Sequence, residues 1–201
     1  MGQTAEDGVS VDLSLWRDVP EGGPAAAHHR AARQAAFATI IAAYDRRLRV
    51  FAYHLLGSRE AMDDVLQEVY LKAYADLGSL RRQAALISWL HRITYTSCMD
   101  ALRRSSSAYP LALDESADPT GAEMDSEVAL HDELRRALID LAPELCAAVL
   151  LVLYEGYSYD EAAGILGIPR GTVASRVAAG RERLACSLSR SSGREASDEQ
   201  R

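Results

Sequence analysis

The sequence predicts an all-α protein in which two small helical domains are joined by a flexible linker. Three observations support this fold class. Apolar residues recur at steps of three and four over most of the 201 residues, which is the period of an amphipathic helix. No alternation of polar and apolar residues is long enough to indicate a strand. The segment 105–125 interrupts the helical pattern with serine, proline and glycine residues, which are typical of a linker.

The composition is that of a folded protein without a membrane span. Apolar residues make up 48% and charged residues 25% of the chain, which are ordinary values for a globular domain. The longest apolar run, Leu145–Tyr154, is too short to cross a bilayer, and we expect no secretory signal. The three cysteines lie far apart, which argues against a disulfide framework and against a CxxC metal site. We therefore expect a cytoplasmic protein.

The distribution of charge favours nucleic-acid binding, although the net charge of −7 does not. Basic residues outnumber acidic ones from Arg46 to Arg104 and again from Arg170 to Arg190. Acidic residues dominate the stretch between them, Ser105–Glu155. The average therefore hides two basic regions, and binding to phosphates needs such local positive charge. Codon usage in a GC-rich genome is an alternative origin of the many arginines.

The first part of the chain predicts a leader followed by three helices. Residues 1–24 contain glycines and prolines without lasting periodicity, which indicates a disordered leader. In the first domain, 25–104, Gly57 is a candidate C-cap of the first helix and Ser58 a candidate N-cap of the second. A short basic loop, Leu80–Gln83, precedes the third helix. The predicted helices span residues 25–55, 58–78 and 85–104.

The second and third helices carry apolar stripes that we expect to face the core. On the second helix the stripe consists of Met62, Val65, Leu66, Val69 and Ala73. On the third helix it consists of Leu86, Trp89, Leu90, Ile93 and Leu102.

The second domain, 126–188, is predicted to contain a helix-turn-helix. Ser158 and Glu161 form a Ser-x-x-Glu capping box that begins a helix. Gly167–Pro169 then forms a turn, and a longer basic helix follows, which is the helix-turn-helix pattern. The helices of this domain are predicted at 126–141, 144–154, 159–166 and 170–188, followed by a disordered tail, 189–201.

The last helix carries the residues that we expect to contact DNA. A helix-turn-helix places its second helix in the major groove, with the N-terminal residues nearest the bases. Arg170, Ser175 and Arg176 are therefore the candidate base-contacting residues, and arginine binds guanine in bidentate fashion. Thr172 and Arg181 are better placed for backbone phosphates. The alternative is a solvated helical hairpin whose arginines only confer solubility.

Sequence motifs in both halves follow the pattern of one protein family. The second half contains YEGYSYDEAA (154–163), LGIP (166–169) and GTVASR (171–176). The first half contains DDVLQEVYLKAY (63–74) and WLHRI (89–93). These motifs and their order resemble regions 4 and 2 of bacterial RNA polymerase sigma factors of the sigma-70 family. The resemblance is closest to the extracytoplasmic-function (ECF) group, which has these two domains with a linker between them.

The resemblance implies that residues 25–104 form sigma region 2, a three-helix bundle, and that residues 126–188 form sigma region 4. In this family a region 2 helix docks on core RNA polymerase. Asp64, Gln67 and Glu68 share one face of that helix, opposite the apolar stripe. We expect them to bind core polymerase through charge-assisted hydrogen bonds. A solvated surface is the alternative.

The resemblance also implies that the basic loop and the third helix capture unpaired bases of the promoter −10 element. Aromatic faces and cationic side chains suit single-stranded DNA. The residues expected to do this are Arg81, Arg82, Trp89, His91, Arg92, Tyr95, Arg103 and Arg104. For Trp89, packing in the core is the alternative. Four residues depart from the family pattern, so its −10 and −35 sequence preferences are not carried over: Thr96, Ala174, Ala178 and Ala179.

The implied function is that of an ECF sigma factor, which binds core RNA polymerase, directs it to promoters through −35 and −10 elements and promotes transcription initiation. The expected partners are core RNA polymerase, promoter DNA and an anti-sigma factor, in the bacterial cytoplasm and at the nucleoid. The sequence has no GxGxxG, GxxxxGK or HExxH motif, so we expect no cofactor, metal, small-molecule substrate or covalent chemistry. One alternative is a stand-alone helix-turn-helix regulator that binds DNA without polymerase. Another is a helical enzyme, which would need a buried ionisable cluster.

Overall fold

A computed structural model describes residues 12–17, 23–106 and 128–198, and these residues form helices and turns only. This confirms the all-α fold class. The helices, in chain order, are α1 (Gly23–Leu56), α2 (Arg59–Asp76), α3 (Leu86–Ser106), α4 (Val128–Ile139), α5 (Pro143–Val149), α6 (Tyr159–Leu166) and α7 (Arg170–Asp198). Three 3₁₀ turns lie at Leu13–Trp16, Leu77–Ser79 and Gln83–Ala85, and a π turn, Leu150–Tyr154, continues α5. Residues 107–125 of the predicted linker lie outside the described residues.

The first half begins with α1 and α2, whose junction follows from two adjacent residues. Gly57 adopts φ +66° and its N–H donates to the Tyr53 carbonyl oxygen at 2.8 Å, which ends α1. Ser58 then caps α2, because its hydroxyl accepts from the N–H of Ala61 at 3.3 Å. The whole predicted stripe of α2 is buried, as the sequence indicated.

Helix α3 differs from its prediction. Leu86 and Leu90 are buried, but Trp89 and two other members of the predicted stripe, Ile93 and Leu102, are only half-buried. Polar residues are buried instead, namely His91, Thr94 and Ser97. The reason is that α3 packs on α1 and α2 on one side and on α6 of the second half on the other. A helix between two layers is buried on more than one face.

The second half contains the predicted helix-turn-helix. The Glu161 carboxylate accepts from the N–H of Ser158 at 2.8 Å, and the N–H of Glu161 donates to the Ser158 hydroxyl at 3.2 Å, which completes the capping box. Gly167 ends α6 in the left-handed region at φ +68°. Val173 and Val177 of α7 are buried. Helix α7 crosses α5 closely, since a Cβ on Gly180 would lie 2.5 Å from Cγ2 of Val149.

The two halves pack against each other through one continuous apolar core. Helix α1 contacts α4 and α5, and α3 contacts α6. Leu48 and Leu90 of the first half belong to the same buried cluster as Leu151 of the second. The sequence predicted two domains but not this contact between them.

Both predicted ends also differ from the structure. Residues 1–24 were expected to be a disordered leader, of which 1–11 and 18–22 lie outside the described residues. Within it, Leu13–Trp16 forms a 3₁₀ turn packed on the first half. Helix α7 continues to Asp198, although a disordered tail was expected from Ser189. Among the described residues, no helix is both long and apolar enough to span a membrane.

Candidate nucleic-acid and polymerase-binding surfaces

The predicted polymerase-binding residues lie on the outer face of α2. Asp64 and Gln67 are exposed, and the Glu68 side chain is 38% exposed. Asp64 and Glu68 line one edge of an open groove between α2 and α3. The apolar residues in this groove are Leu56, Ala61, Val65 and Ala101. The structure therefore places acidic groups beside an accessible apolar surface.

Glu68 already has cationic partners. Its Oε1 lies 2.7 Å from Nζ of Lys72, and its Oε2 lies 3.6 Å from Nη2 of Arg104. The hydrogen bond from Lys72 lowers the pKa of Glu68 below its ordinary value, and the charge of Arg104 lowers it further. Glu68 is thus ionised and oriented, and a basic partner has to compete with these two side chains.

The predicted −10 surface is formed by the loop before α3 and by the exposed side of that helix. Arg81, Arg82 and Arg92 are exposed, as are Arg103 and Arg104 near the end of α3. Arg103 forms an ion pair with Asp100 within the same helix.

An open groove between α2 and α3 joins some of the predicted −10 residues. Trp89 and Arg92 line this groove, together with Thr96 and Lys72. Trp89 is half-buried, so its indole both packs on the core and borders the groove. Tyr95 is also half-buried and packs on the core. Lys72 was not among the predicted residues. Its spacing of four residues from Glu68 could have indicated that it lies on the same side of α2.

His91 does not lie on this surface. Its side chain is fully buried, and Nδ1 lies 3.1 Å from both the Ile87 carbonyl oxygen and the Tyr157 hydroxyl. Burial lowers the pKa of His91 to about 3, and the charge of Arg47 contributes, so the imidazole is neutral. In this arrangement the second half covers His91, so it cannot reach −10 DNA here, and its contact with that DNA stays a prediction.

A polar cluster surrounds His91 where the two halves meet. Nη2 of Arg47 lies 2.7 Å from Oε2 of Glu155, and Nε of Arg47 donates to the same oxygen at 2.8 Å. Oε1 of Glu155 is 3.9 Å from Nε2 of His91. Burial raises the pKa of Glu155, and the charge of Arg47 acts against this rise. This cluster of Arg47, His91, Glu155 and Tyr157, the interdomain cluster, joins residues far apart in sequence, and no local pattern predicted it.

The predicted −35 residues occupy α7 of the helix-turn-helix. Arg170, Ser175 and Arg181 are exposed, and Thr172 and Arg176 are half-buried. At 3.6 residues per turn, Thr172, Ser175 and Arg176 share one face. Arg181 lies on the other flank of the buried valine stripe, so the structure separates it from that face.

Arg170 has local contacts that orient it, whereas part of Arg176 is buried without a partner. Nε of Arg170, at the start of α7, lies 3.5 Å from Oδ1 of Asp160, and its guanidinium lies over the Tyr159 ring. One guanidinium nitrogen of Arg176 is enclosed and has no hydrogen-bond partner among the described residues. Because this nitrogen is buried, a ligand cannot reach it in this arrangement, and only the rest of the guanidinium is available for contact.

The described part of the chain contains no group of three or more His, Cys, Asp or Glu side chains able to hold a metal ion. The arrangement as a whole offers acidic and apolar groups on α2, cationic and aromatic groups on α3, and cationic and hydroxyl groups on α7. These are surfaces for binding macromolecules.

Comparison with known families gives a match in each half. Sigma-70 region 2 matches residues 40–108, and sigma-70 region 4 matches residues 131–184. The ECF RNA polymerase sigma factor SigM of Mycobacterium tuberculosis is 40% identical over 159 residues, covering 79% of this chain and 80% of SigM. The ECF RNA polymerase sigma-E factor of Escherichia coli is 30% identical over 164 residues, covering 75% of this chain and 85% of that protein.

Solved structures give the same picture of the fold. The sigma factor RpoE of Bartonella quintana, solved in complex with the anti-sigma factor NepR, aligns with a TM-score of 0.64 and 25% identity, covering 76% of this chain and 96% of RpoE. CnrH, solved in complex with the cytosolic domain of CnrY, aligns with a TM-score of 0.58 and 20% identity, covering 89% of this chain and 97% of CnrH. The second likeness concerns the fold alone.

Proposed function

The chain belongs to the ECF group of the sigma-70 family, and on this premise we propose how its surfaces share the work of promoter recognition. As an ECF sigma factor it binds core RNA polymerase, directs it to promoters and promotes transcription initiation. The observation that carries this function is that regions 2 and 4 both match, in the order of the family and over most of the chain.

The −35 element is bound by the first two turns of α7. Arg176, together with Thr172 and Ser175 on the same face, enters the major groove, and Arg170 stands at the helix start. The bidentate fit of a guanidinium to guanine supports a base-contacting role for Arg176. Arg181, on a different flank, binds backbone phosphate.

The −10 element is bound by the loop Leu80–Gln83 and the exposed side of α3. Arg81, Arg82 and Arg92 supply positive charge, and the groove beside Trp89 accepts an unpaired base. Stacking on an aromatic ring contributes about 1–3 kcal/mol per base. Tyr95, Arg103 and Arg104 extend this surface along α3.

Core polymerase is bound by Asp64, Gln67 and Glu68. Their carboxylates and amide receive a basic surface through charge-assisted hydrogen bonds. Exposed ion pairs contribute only about 0–1 kcal/mol each to binding. The apolar groove beside these residues adds apolar surface that a partner can bury.

Promoter binding requires the two halves to separate. Elements centred near −35 and −10 are about 25 base pairs apart, or roughly 85 Å along the duplex at 3.4 Å per base pair. Two small domains in direct contact through Arg47 and Glu155 do not reach across this distance. In the promoter complex the interdomain cluster is therefore broken, and His91 becomes exposed.

The proposed partners include an anti-sigma factor, because the similar sigma factor RpoE of Bartonella quintana has been solved in complex with one. The protein acts by binding alone, without covalent chemistry. Since bacterial RNA polymerase works in the cytoplasm, the protein does so too, and it joins the nucleoid as part of the holoenzyme.

Run-off transcription with purified core polymerase and fragmented genomic DNA tests this function. Discrete transcripts that appear only when the protein is added are the expected result, and their start sites identify the promoters. Transcript patterns identical with and without the protein would contradict it.

A further inference from the structure

A short segment ahead of α1 is anchored to the first half. Asp12 caps the turn Leu13–Trp16, because its carboxylate accepts from the backbone N–H and the hydroxyl of Ser14 at 2.9 and 2.6 Å. These bonds lower the pKa of Asp12, so the capping group is ionised. Trp16, at the end of the turn, is only 8% exposed. The segment is thus a formed element in a stretch whose sequence predicts none.

Trp16 is held against the end of α2. Its indole Nε1 donates to the Tyr74 carbonyl oxygen at 2.9 Å, and the two rings meet edge to face. The Arg33 guanidinium lies over both rings, 5.3 Å from the centroid of Trp16 and 5.0 Å from that of Tyr74. A Cβ on Gly78 would lie 2.9 Å from the Trp16 carbonyl oxygen, so only glycine permits this approach. A buried indole with its N–H bonded and a cation on its face is a firm anchor.

The next residue, Arg17, connects this anchor to the loop Leu80–Gln83. Its Nη2 donates to the Leu80 carbonyl oxygen at 2.7 Å. Leu80 is buried, and its N–H donates to the Leu77 carbonyl oxygen at 3.1 Å. The two exposed arginines of the loop, Arg81 and Arg82, follow directly. Arg17 therefore bonds the backbone at the base of the loop.

We propose that the segment Asp12–Arg17 is a brace that holds the loop Leu80–Gln83 in the position from which Arg81 and Arg82 contact unpaired bases of the −10 element. Trp16 and Arg17 act as positioning residues, since neither has to touch DNA. This inference rests on the proposed function, in which the loop binds −10 DNA.

The brace acts on discrimination between sequences. A loop that is held in place loses less conformational freedom on binding than a free one. A loop without its bond to Arg17 samples other positions, and some of these suit the wrong base. Binding to core polymerase, which uses the outer face of α2, is not expected to change.

Binding of single-stranded DNA to the holoenzyme of full-length protein tests the brace. The probe is a labelled oligonucleotide with the −10 sequence of a promoter found by run-off transcription, compared with one in which that sequence is scrambled. Arg17→Ala should lower the ratio of the two affinities about two- to tenfold, the effect of one hydrogen bond. Arg30→Ala, which removes an exposed guanidinium from α1, should leave the ratio unchanged. Both variants should bind core polymerase like the wild type, which a general loss of structure would not allow.

A second measurement makes the result independent of DNA. Hydrogen exchange in residues 77–85 should be faster in Arg17→Ala than in Arg30→Ala. Trp16→Phe, which keeps an aromatic ring of smaller size but loses the N–H donor, should also exchange faster. Equal exchange in all of these proteins would overturn the brace.

The variant Arg81→Ala/Arg82→Ala separates the two proposals. A wild-type affinity ratio in this variant would overturn the −10 role of the loop, and the brace with it. A reduced ratio there, combined with a wild-type ratio in Arg17→Ala, would overturn the brace alone.

Discussion

The guanidinium of Arg47 lies 2.7 Å from the carboxylate of Glu155, across 108 positions of the chain, and joins the two halves of the protein. The Glu155 side chain is only 2% exposed. A buried carboxylate is tolerated only when it is paired, so the packed arrangement depends on this contact. In the proposed promoter complex the same contact is broken, so that the two halves can bind their separate elements.

Arg47→Ala is expected to destabilise the packed arrangement by about 1–3 kcal/mol, because the buried carboxylate of Glu155 loses its partner. Urea unfolding followed by circular dichroism measures the change in the free energy of unfolding. Arg46→Ala, the exposed neighbour on α1, removes the same charge and should cost less than about 0.5 kcal/mol. Equal costs for the two variants would show that the pair has no specific role.

The buried imidazole of His91 is expected to make stability depend on pH. Its pKa is about 3 in the folded protein, against an ordinary value of 6.5. Because the folded pKa is the lower one, this stability is present above pH 6.5 and is lost as the pH falls towards 3. Between pH 7 and pH 5 the wild type should lose about 2 kcal/mol more than His91→Gln.

The comparison in urea at both pH values isolates this residue. Glu155, whose pKa burial raises, acts in the opposite direction, but it is present in both proteins. If the wild type loses no more stability than His91→Gln, the imidazole is not buried and neutral.

Charge reversal on the outer face of α2 should abolish association with core polymerase. Asp64→Lys/Glu68→Lys replaces two carboxylates that receive the basic partner surface, and like charges then repel. A pull-down with purified core polymerase measures association, and circular dichroism checks the helices. Asp76→Lys, at the end of the same helix, is the matched control and should bind normally. Normal association of the double variant would remove this face from the account.

Arg176→Ala should weaken initiation at −35-dependent promoters by about 1–3 kcal/mol. Arg181→Ala, on the other flank of α7, should weaken binding to all sequences alike and reduce the salt dependence of binding. Initiation rates on promoters with intact and scrambled −35 elements separate these effects. An equal loss on both promoters for Arg176→Ala would make it a phosphate contact.

Local patterns predicted most of the secondary structure. The apolar stripe of α2 that begins at Met62 has the period of a helix and faces the core on one side only. Its burial therefore follows from the sequence pattern. Both hydrogen bonds of the capping box join Ser158 and Glu161, which are three residues apart. The motif therefore depends on local sequence alone. The exposed arginines of α7 follow from the same periodicity.

The differences between prediction and structure lie where distant segments meet. His91 is buried because α6 covers α3, and a single helix gives no sign of a second layer. Trp16 is ordered by Tyr74 and Arg33, which are too far along the chain for local propensity to indicate. Glu155 pairs with Arg47 for the same reason. Long-range packing overrides local preference at each of these positions.

Promoter binding by the purified protein, measured with and without core polymerase, shows whether sequence recognition depends on the polymerase. The measurement is the ratio of affinities for a fluorescent promoter duplex and for a duplex with both elements scrambled. With core polymerase we expect a ratio of at least about 100, and without it a ratio near 1, because the packed halves do not span both elements. A large ratio for the protein alone would contradict the account and identify an independent DNA-binding regulator.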